Sequence, residues 1–448
     1  MKKLYKLNLI AASAGLLTVG LAGSALAAFH LGGVANCGGC HSMHSPSTAN
    51  MYLLHGGDQS STCLNCHQQG TTGDFAVYNG ASGYYISGNG SDTTVPTQFS
   101  PGGDFSWTKR GYAWTNEDGV ATTETGASHG HNIIAADYSY GVDPDNAVSP
   151  TAGINAGFPA DKLACNSCHD PHGKYRRFAD GSIDTAGAPI IASGSYASSP
   201  VPTGDAFLPD ATAVGAYRLL AGQGYDSVSY KAAGGQDYAG VPMAVAPDTY
   251  NRQETAAQTR VAYGANATGA PGGVTTWSNW CATCHGGMHS DVNAGLTHPV
   301  DQPLNGSTLG DLSAIYNAYI NTSNTIGGDS TTSYLSLTPF AQNAGAFADL
   351  AANAQFDDSA LAGPIGDDQV MCLSCHRAHA SGFKNMLRWN NESALITVAN
   401  GYPVAGTDNP DFVRGRTADD WTAAYYGRDA AVFGDYQRSL CNKCHAKD

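Results

Sequence analysis

The chain of 448 residues is poor in charge, and poorest in positive charge. Asp, Glu, Lys and Arg make up 13% of it, and 22 Lys and Arg face 37 Asp and Glu, for a net charge of −15. A nucleic-acid partner needs clustered cations to neutralise phosphates, and an anionic lipid surface asks the same. Neither is expected as a partner. Charge is also too sparse for a self-repelling disordered tail. Beyond residue 28 no apolar run is long enough to span a bilayer. Methionine is scarce, at seven including the initiator. Against these shortages stand 55 Gly and 20 Pro, which weaken helices and strands alike. Long irregular stretches follow from that composition.

The first residues read as an export signal. Lys2, Lys3 and Lys6 precede an uncharged stretch from Leu7 to Ala28, and Ala25-Leu26-Ala27 offers small residues at −3 and −1. This predicts a secretory signal peptide over 1–27, with cleavage after Ala28 as a variant and a membrane anchor as the alternative. The mature chain, 28–448, is expected as one exported unit without a membrane span.

No cysteine is left over from a single pattern. The twelve fall in six copies of C-x-x-C-H, numbered here as sites 1 to 6: Cys37/Cys40/His41, Cys63/Cys66/His67, Cys165/Cys168/His169, Cys281/Cys284/His285, Cys372/Cys375/His376 and Cys441/Cys444/His445. This is the attachment signature of c-type haem. Two thiols add to the two vinyl groups on one porphyrin edge, and a two-residue gap sets the sulfurs that far apart. The next residue then turns its imidazole onto the iron. Disulfides are the usual use of cysteine in an exported protein, and paired C-x-x-C also suits zinc. Neither explains the histidines. With 15 His in the chain, six such pairs followed by His by chance has odds of about one in a billion.

Six covalent haems therefore take His41, His67, His169, His285, His376 and His445 as proximal ligands. Nine histidines remain, enough for six bis-histidine irons, and the scattered methionines make poor distal ligands. His44, His172 and His379 each lie three residues past a proximal His. That is too close to reach the far face of their own haem, and suits a neighbouring iron instead. Haems so linked must pack nearly in contact. His289 lies four residues past His285; His30, His131 and His298 are further candidates, and His55 and His129 read as spares.

The segments between sites lack sustained periodicity, notably 70–103 and 181–215. Short helices are expected at Leu312–Ile320, at Ala346–Asn353 and after Thr417. No repeat is evident beyond the haem motif. The expected fold is a multihaem c-type cytochrome: a single elongated unit, mostly irregular coil with a few short helices, organised around a chain of six haems and not expected to fold without them.

Longer strings carry a resemblance. They include Phe29-His30, Gly130-His131-Asn132-Ile133, Cys168-His-Asp-Pro-His-Gly-Lys-Tyr-Arg-Arg-Phe178, Thr249-Tyr-Asn-Arg252, Thr259-Arg-Val-Ala-Tyr-Gly264, Cys372-Leu-Ser-Cys-His-Arg-Ala-His-Ala380, Ala423-Ala-Tyr-Tyr-Gly-Arg428 and Cys441-Asn-Lys-Cys-His-Ala-Lys-Asp448. Across the mature chain these resemble the OmcS-type, filament-forming hexahaem cytochromes of the outer cell surface. The resemblance implies a head-to-tail homopolymer of low-spin bis-histidine haems stacked along its axis. It implies that His44 ligates the Cys372/Cys375 haem of the next protomer. Seven histidines fall in family-like contexts (His30, His44, His131, His172, His289, His298 and His379), one more than needed, the surplus being His289 or His298.

The expected function is long-range electron transfer outside the cell, from other cytochromes to ferric oxides, electrodes or partner cells, with no catalytic residue. Close haem packing shortens each hop, and two imidazoles per iron block substrate. The alternatives are a discrete periplasmic shuttle or store, with His44 bound inside its own chain, and a multihaem reductase with one open iron. Surplus histidine argues against the last.

Overall fold

The computed structural model describes residues 37–42, 53–70, 85–147, 158–171, 176–177, 183–184, 214–215, 217–222, 225, 238, 240–247, 254, 260–265, 274–286, 300–306, 310–320, 326–333, 337–344, 347–355 and 362–445. The expected signal peptide lies outside them. Regular structure is sparse within them. The α-helices are α1 (Cys37–Cys40), α2 (Gln59–His67), α3 (Cys165–Cys168), α4 (Trp277–His285), α5 (Leu312–Asn317), α6 (Phe347–Ala352), α7 (Cys372–Cys375), α8 (Pro410–Val413) and α9 (Ala418–Ala424). None of the described helices is long and apolar enough to cross a membrane. The three helices expected away from the C-x-x-C-H motifs are α5, α6 and α9.

Five of the helices begin at or contain a C-x-x-C pair. Two of them run for nine residues because a cap precedes them: Asp58 accepts from the Ser61 N–H at 2.7 Å before α2, and Thr276 accepts from the Asn279 N–H at 3.0 Å before α4. The helices α3 and α7 stop after one turn, because His169 and His376 leave them in extended conformation. Site 6 folds as a 3₁₀ turn, Leu440–Lys443.

Strands are short. The longest pair, β1 (Tyr112–Thr115) and β2 (Ala121–Glu124), forms an antiparallel hairpin with Tyr112 opposite Glu124. Ala262–Gly264 lies between Ala244–Val245 and Ala341–Gln342, antiparallel to the first and parallel to the second. This small sheet carries Tyr263 into the core beside Trp277, which precedes site 4, and Val245 into a separate cluster with Leu350.

The C-terminal part is built on aromatic rings. Tyr402 and Tyr425 stack at 5.3 Å, Phe433 meets Tyr425 edge-on at 5.3 Å, and Phe383 lies 5.0 Å from Tyr425. Trp421, fully buried, closes the cluster. Offset and edge-to-face contacts of this kind add to the area that aromatic rings bury. Asp420 ties α9 to the hairpin. Its carboxylate accepts from Arg110 Nη2 at 3.0 Å, Tyr112 Oη at 3.1 Å and the Thr417 N–H at 2.8 Å, and Arg110 Nε reaches it as well. Burial pushes this carboxyl up, but the bonds from Arg110 and Thr417 outweigh it and hold it below the ordinary carboxylate range.

Asp420→Ala leaves the buried Arg110 guanidinium without its carboxylate, so it is expected to cost about 3–5 kcal/mol in holoprotein stability. In the unmodified protein the Asp420 contribution is complete above the ordinary carboxylate pKa of about 4 and is lost as pH falls through the depressed folded value. Thermal melting of the haem-region absorbance checks both. Equal melting temperatures at pH 7 would refute the first.

Candidate functional site

The attachment sites follow one another in space in the order of the chain. Cys40 is an electrostatic neighbour of Cys63 and Cys66, and the Cys63 thiol is in hydrogen-bonding contact with Cys165. Cys168 neighbours Cys284, Cys281 is in hydrogen-bonding contact with Cys372, and Cys375 neighbours Cys441 and Cys444. Sequence alone left this order open. Of site 1, Cys37 is described by its backbone only.

Sites 2 and 3 form a unit that sites 4 and 5 repeat. In each, a capped nine-residue helix brings its first cysteine against the first cysteine of a one-turn helix. In the one-turn helices, the Ser167 hydroxyl accepts from the Ala164 N–H, and Ser374 accepts from Met371 N–H, each at 3.1 Å. A repeat beyond the motif therefore exists. It escaped the sequence reading because it is one of backbone geometry, with 102 and 91 residues of dissimilar sequence separating the paired sites.

A second repeated element clamps sites 1, 3 and 5. At site 3 a strap, Tyr217–Ala221, pairs antiparallel with the attachment loop through Leu220 and His169. The Asp170 N–H donates to Leu219 O at 2.8 Å, and the Ala221 N–H to Cys168 O at 2.9 Å. At site 5 the Arg377 N–H donates to Met386 O and the Arg388 N–H to Cys375 O, both at 2.8 Å. At site 1 the Ser42 N–H donates to Leu53 O at 2.7 Å and the His55 N–H to Cys40 O at 3.0 Å. Leu53, Leu219 and Met386 all sit at positive φ, between 56° and 58°.

Several imidazoles are held in one tautomer. His169 Nδ1 donates to Arg218 O at 2.7 Å, His376 Nδ1 to Asn385 O at 2.8 Å, and His131 Nδ1 to Ala378 O at 2.8 Å. His379 Nδ1 faces Gly103 O at 3.3 Å, and its ring stacks on Phe105 at 4.5 Å. Gly103 is required there: at φ +98° it lies so close that a Cβ would fall 1.7 Å from Ala380 O. With Nδ1 donating to a carbonyl, Nε2 keeps its lone pair for a metal. Burial lowers His285 to about 4 and His379 to about 3, and lowers His131 and His169 as well. These rings stay neutral at neutral pH, as ligation demands.

Two pairs of rings stand at a telling distance. His379 lies 6.2 Å from His169, and His131 lies 5.9 Å from His285, centroid to centroid. Two imidazoles bound to one metal through nitrogens about 2 Å away have centroids about 6 Å apart. His55 and His129 are engaged elsewhere. His55 Nε2 donates to Gly38 O at 2.9 Å; His129, fully buried, meets Trp107 O at 3.2 Å and Glu124 Oε1 at 2.7 Å. His30, His44, His172, His289 and His298 lie outside the described residues.

No protein-family model matches the chain. The C-type cytochrome OmcS of Geobacter sulfurreducens is 45% identical over 469 aligned positions that cover the whole of both chains. The chain belongs to the OmcS family of c-type cytochromes. Two solved structures, one of OmcS nanowires and one of the outer membrane cytochrome S filament of that organism, match it with a TM-score of 0.77. Each is 44% identical and covers 94% of this chain and 100% of its own. The coil-rich fold expected from composition is that of the OmcS family, and covalent haem comes with it.

Haem brings two propionates, and the chain has buried donors to meet them. Arg377, Arg388 and Arg428 surround a single carboxylate, Glu254, with side-chain exposures of 1%, 1%, 3% and 6%. Arg377 Nη1 donates to Glu254 at 2.6 Å, but Arg388 and Arg428 remain 3.9 and 3.8 Å away. Arg377 Nη2, Arg388 Nη1, Trp389 Nε1 and Asn390 Nδ2 are buried with no hydrogen-bond partner among the described residues. Arg388 is anchored on site 5 itself, its Nε donating to His376 O at 3.1 Å. Buried cations that outnumber their carboxylate are costly, so this excess of donors fits a cofactor that carries carboxylates. Sequence reading missed the cluster; only the rarity of arginine in an acidic chain hinted at it.

Glu254→Gln removes the carboxylate from among three buried guanidiniums. The holoprotein is expected to lose about 3 kcal/mol of stability, seen as an earlier melt in the haem-region absorbance at pH 7. A melt matching the unmodified protein would mean that Glu254 adds nothing to the balance of charge.

Proposed function

We propose that this chain conducts electrons outside the cell, as one hexahaem unit over 28–448 that polymerises head to tail. The observation that carries the reading is the pair of ring separations at His169–His379 and His131–His285. Its solved relatives, nanowires in one structure and a filament in the other, support polymerisation.

The twelve cysteines hold six haems, each iron between two histidines. His379, which follows site 5, serves site 3, two sites back. Applied along the chain, the same step takes His172, which follows site 3, to site 1. It takes His44, which follows site 1, to a site before the chain begins: the Cys372/Cys375 haem of the neighbouring protomer. His131, from between sites 2 and 3, serves site 4. The same shift assigns His30 to site 2 and leaves site 6 to His289 or His298. Each protomer then ends on an unpaired even site and starts on an unpaired odd one, and docking completes both the haem pairing and the ligand set.

Haem supplies iron that exchanges single electrons with its neighbours. The chain's histidines would hold each iron from both sides, which would leave no coordination site for a substrate and would make the protein a carrier and not an enzyme. Cys63 lies against Cys165 and Cys281 against Cys372, so the attachment points of successive sites stand side by side. Buried arginines take the propionates, and the acidic chain is exported to meet cytochrome donors and acceptors such as ferric oxides, electrodes or other cells.

His44→Ala is expected to retain six haems by mass, to show one high-spin iron, and to leave no filaments among material sheared from expressing cells. Normal filaments from this variant, in haem-stained electron micrographs, would overturn the interprotomer ligand. Discrete haem protein confined to the periplasm in the unmodified strain would instead support a shuttle with His44 inside its own chain. A high-spin iron in the unmodified protein would support an open, substrate-binding haem.

A further inference from the structure

We infer that the straps at sites 3 and 5 are positioning elements that strengthen the proximal imidazoles as electron donors, lowering the reduction potentials of those two haems. The inference rests on the bis-histidine reading above.

In each strap the carbonyl that receives the imidazole N–H belongs to the first of two successive residues in left-handed conformation. These are Arg218 (φ 51°) and Leu219 (φ 56°) at site 3, and Asn385 (φ 57°) and Met386 (φ 58°) at site 5. Left-handed backbone costs roughly 1–2 kcal/mol for an ordinary L-residue, less for Asn. Two in a row persist only where the surroundings hold them. Here the surroundings are the attachment loop. On either side of the histidine the loop and strap exchange backbone hydrogen bonds, to Leu219 O and from Ala221 N–H at site 3, and to Met386 O and from Arg388 N–H at site 5. The turn aims Arg218 O and Asn385 O at Nδ1, at 2.7 and 2.8 Å. Dissimilar sequences, Tyr-Arg-Leu-Leu-Ala and Lys-Asn-Met-Leu-Arg, reach this geometry. Site 1 shares the clamp and the positive φ of Leu53.

Site 4 differs. His285 ends a nine-residue helix, and its ring makes no hydrogen bond among the described residues; its ring neighbour is His131. The wire thus passes from a strapped site to an unstrapped one. A carbonyl accepting the Nδ1 proton raises the basicity of the other ring nitrogen. A more basic ligand favours ferric over ferrous iron and lowers the potential. Strapped sites are therefore lower in potential than they would be without the carbonyl.

The test compares Asn385→Val with Asn385→Gly in purified holoprotein. Glycine accepts positive φ freely and valine resists it. The glycine variant is expected to keep all six potentials in a spectroelectrochemical titration. The valine variant is expected to keep six low-spin haems while one potential rises and one low-spin resonance shifts in the electron paramagnetic spectrum. Six unchanged potentials in a fully loaded valine variant would overturn the inference. Should that variant fail to load haem, nitrogen-15 histidine NMR of the reduced unmodified protein decides. His169 and His376 are expected to show hydrogen-bonded Nδ1–H signals that His285 lacks, and three alike would overturn it. Fewer than six low-spin haems in the unmodified protein would instead refute the bis-histidine reading beneath it.

Discussion

A histidine that gives its Nδ1 proton to a backbone carbonyl has one nitrogen left to offer a metal, and it can offer it in one direction only. The described fold is arranged around that constraint. Arg218 O, Asn385 O and Ala378 O each fix a ring. Gly103 lets the chain pass close beside Ala380, near enough to pack Phe105 against His379. Without these contacts the rings at 6.2 and 5.9 Å would rotate, and the spacing that suits one metal between two imidazoles would be lost.

The scarcity of helix and strand follows from the same demand. Four-residue helices such as α3 and α7 cannot persist on intrinsic propensity, because helix nucleation is unfavourable and one turn does not repay it. They hold here because His169 and His376 leave them at once and hydrogen-bond to straps. The backbone is satisfied by pairwise clamps at each attachment loop, where most proteins use long ladders. A fold of this kind gains little from any one element. It depends on aromatic packing around Tyr425 and Trp421 and on what the attachment sites bind.

Charge is divided between outside and inside. The chain is acidic, yet Arg377, Arg388 and Arg428 are buried around one glutamate. Placed beside site 5, such cations resist the loss of an electron from a nearby group and raise its potential, whereas a strap carbonyl at the same site lowers it. Two opposing influences on one site allow its level to be set by small displacements of either.

The haem chemistry was legible in the sequence because thioether attachment and iron ligation demand residues at invariant local spacing: Cys, Cys and His within five positions leave little freedom. The irregular fold was legible from glycine content, and α5, α6 and α9 from short apolar runs between turn residues. The spatial order of the sites was not, nor was the two-site repeat, nor the pairing of His131 with His285, 154 positions apart. Nor were the straps, whose Leu53, Leu219 and Met386 share a backbone angle and, in sequence, only a Leu directly after each, too common a pair to mark them. Local covalent chemistry is written in adjacent residues. Which carbonyl meets which imidazole, and which arginines gather around one glutamate, depends on contacts between segments a hundred residues apart, and only folding brings those together.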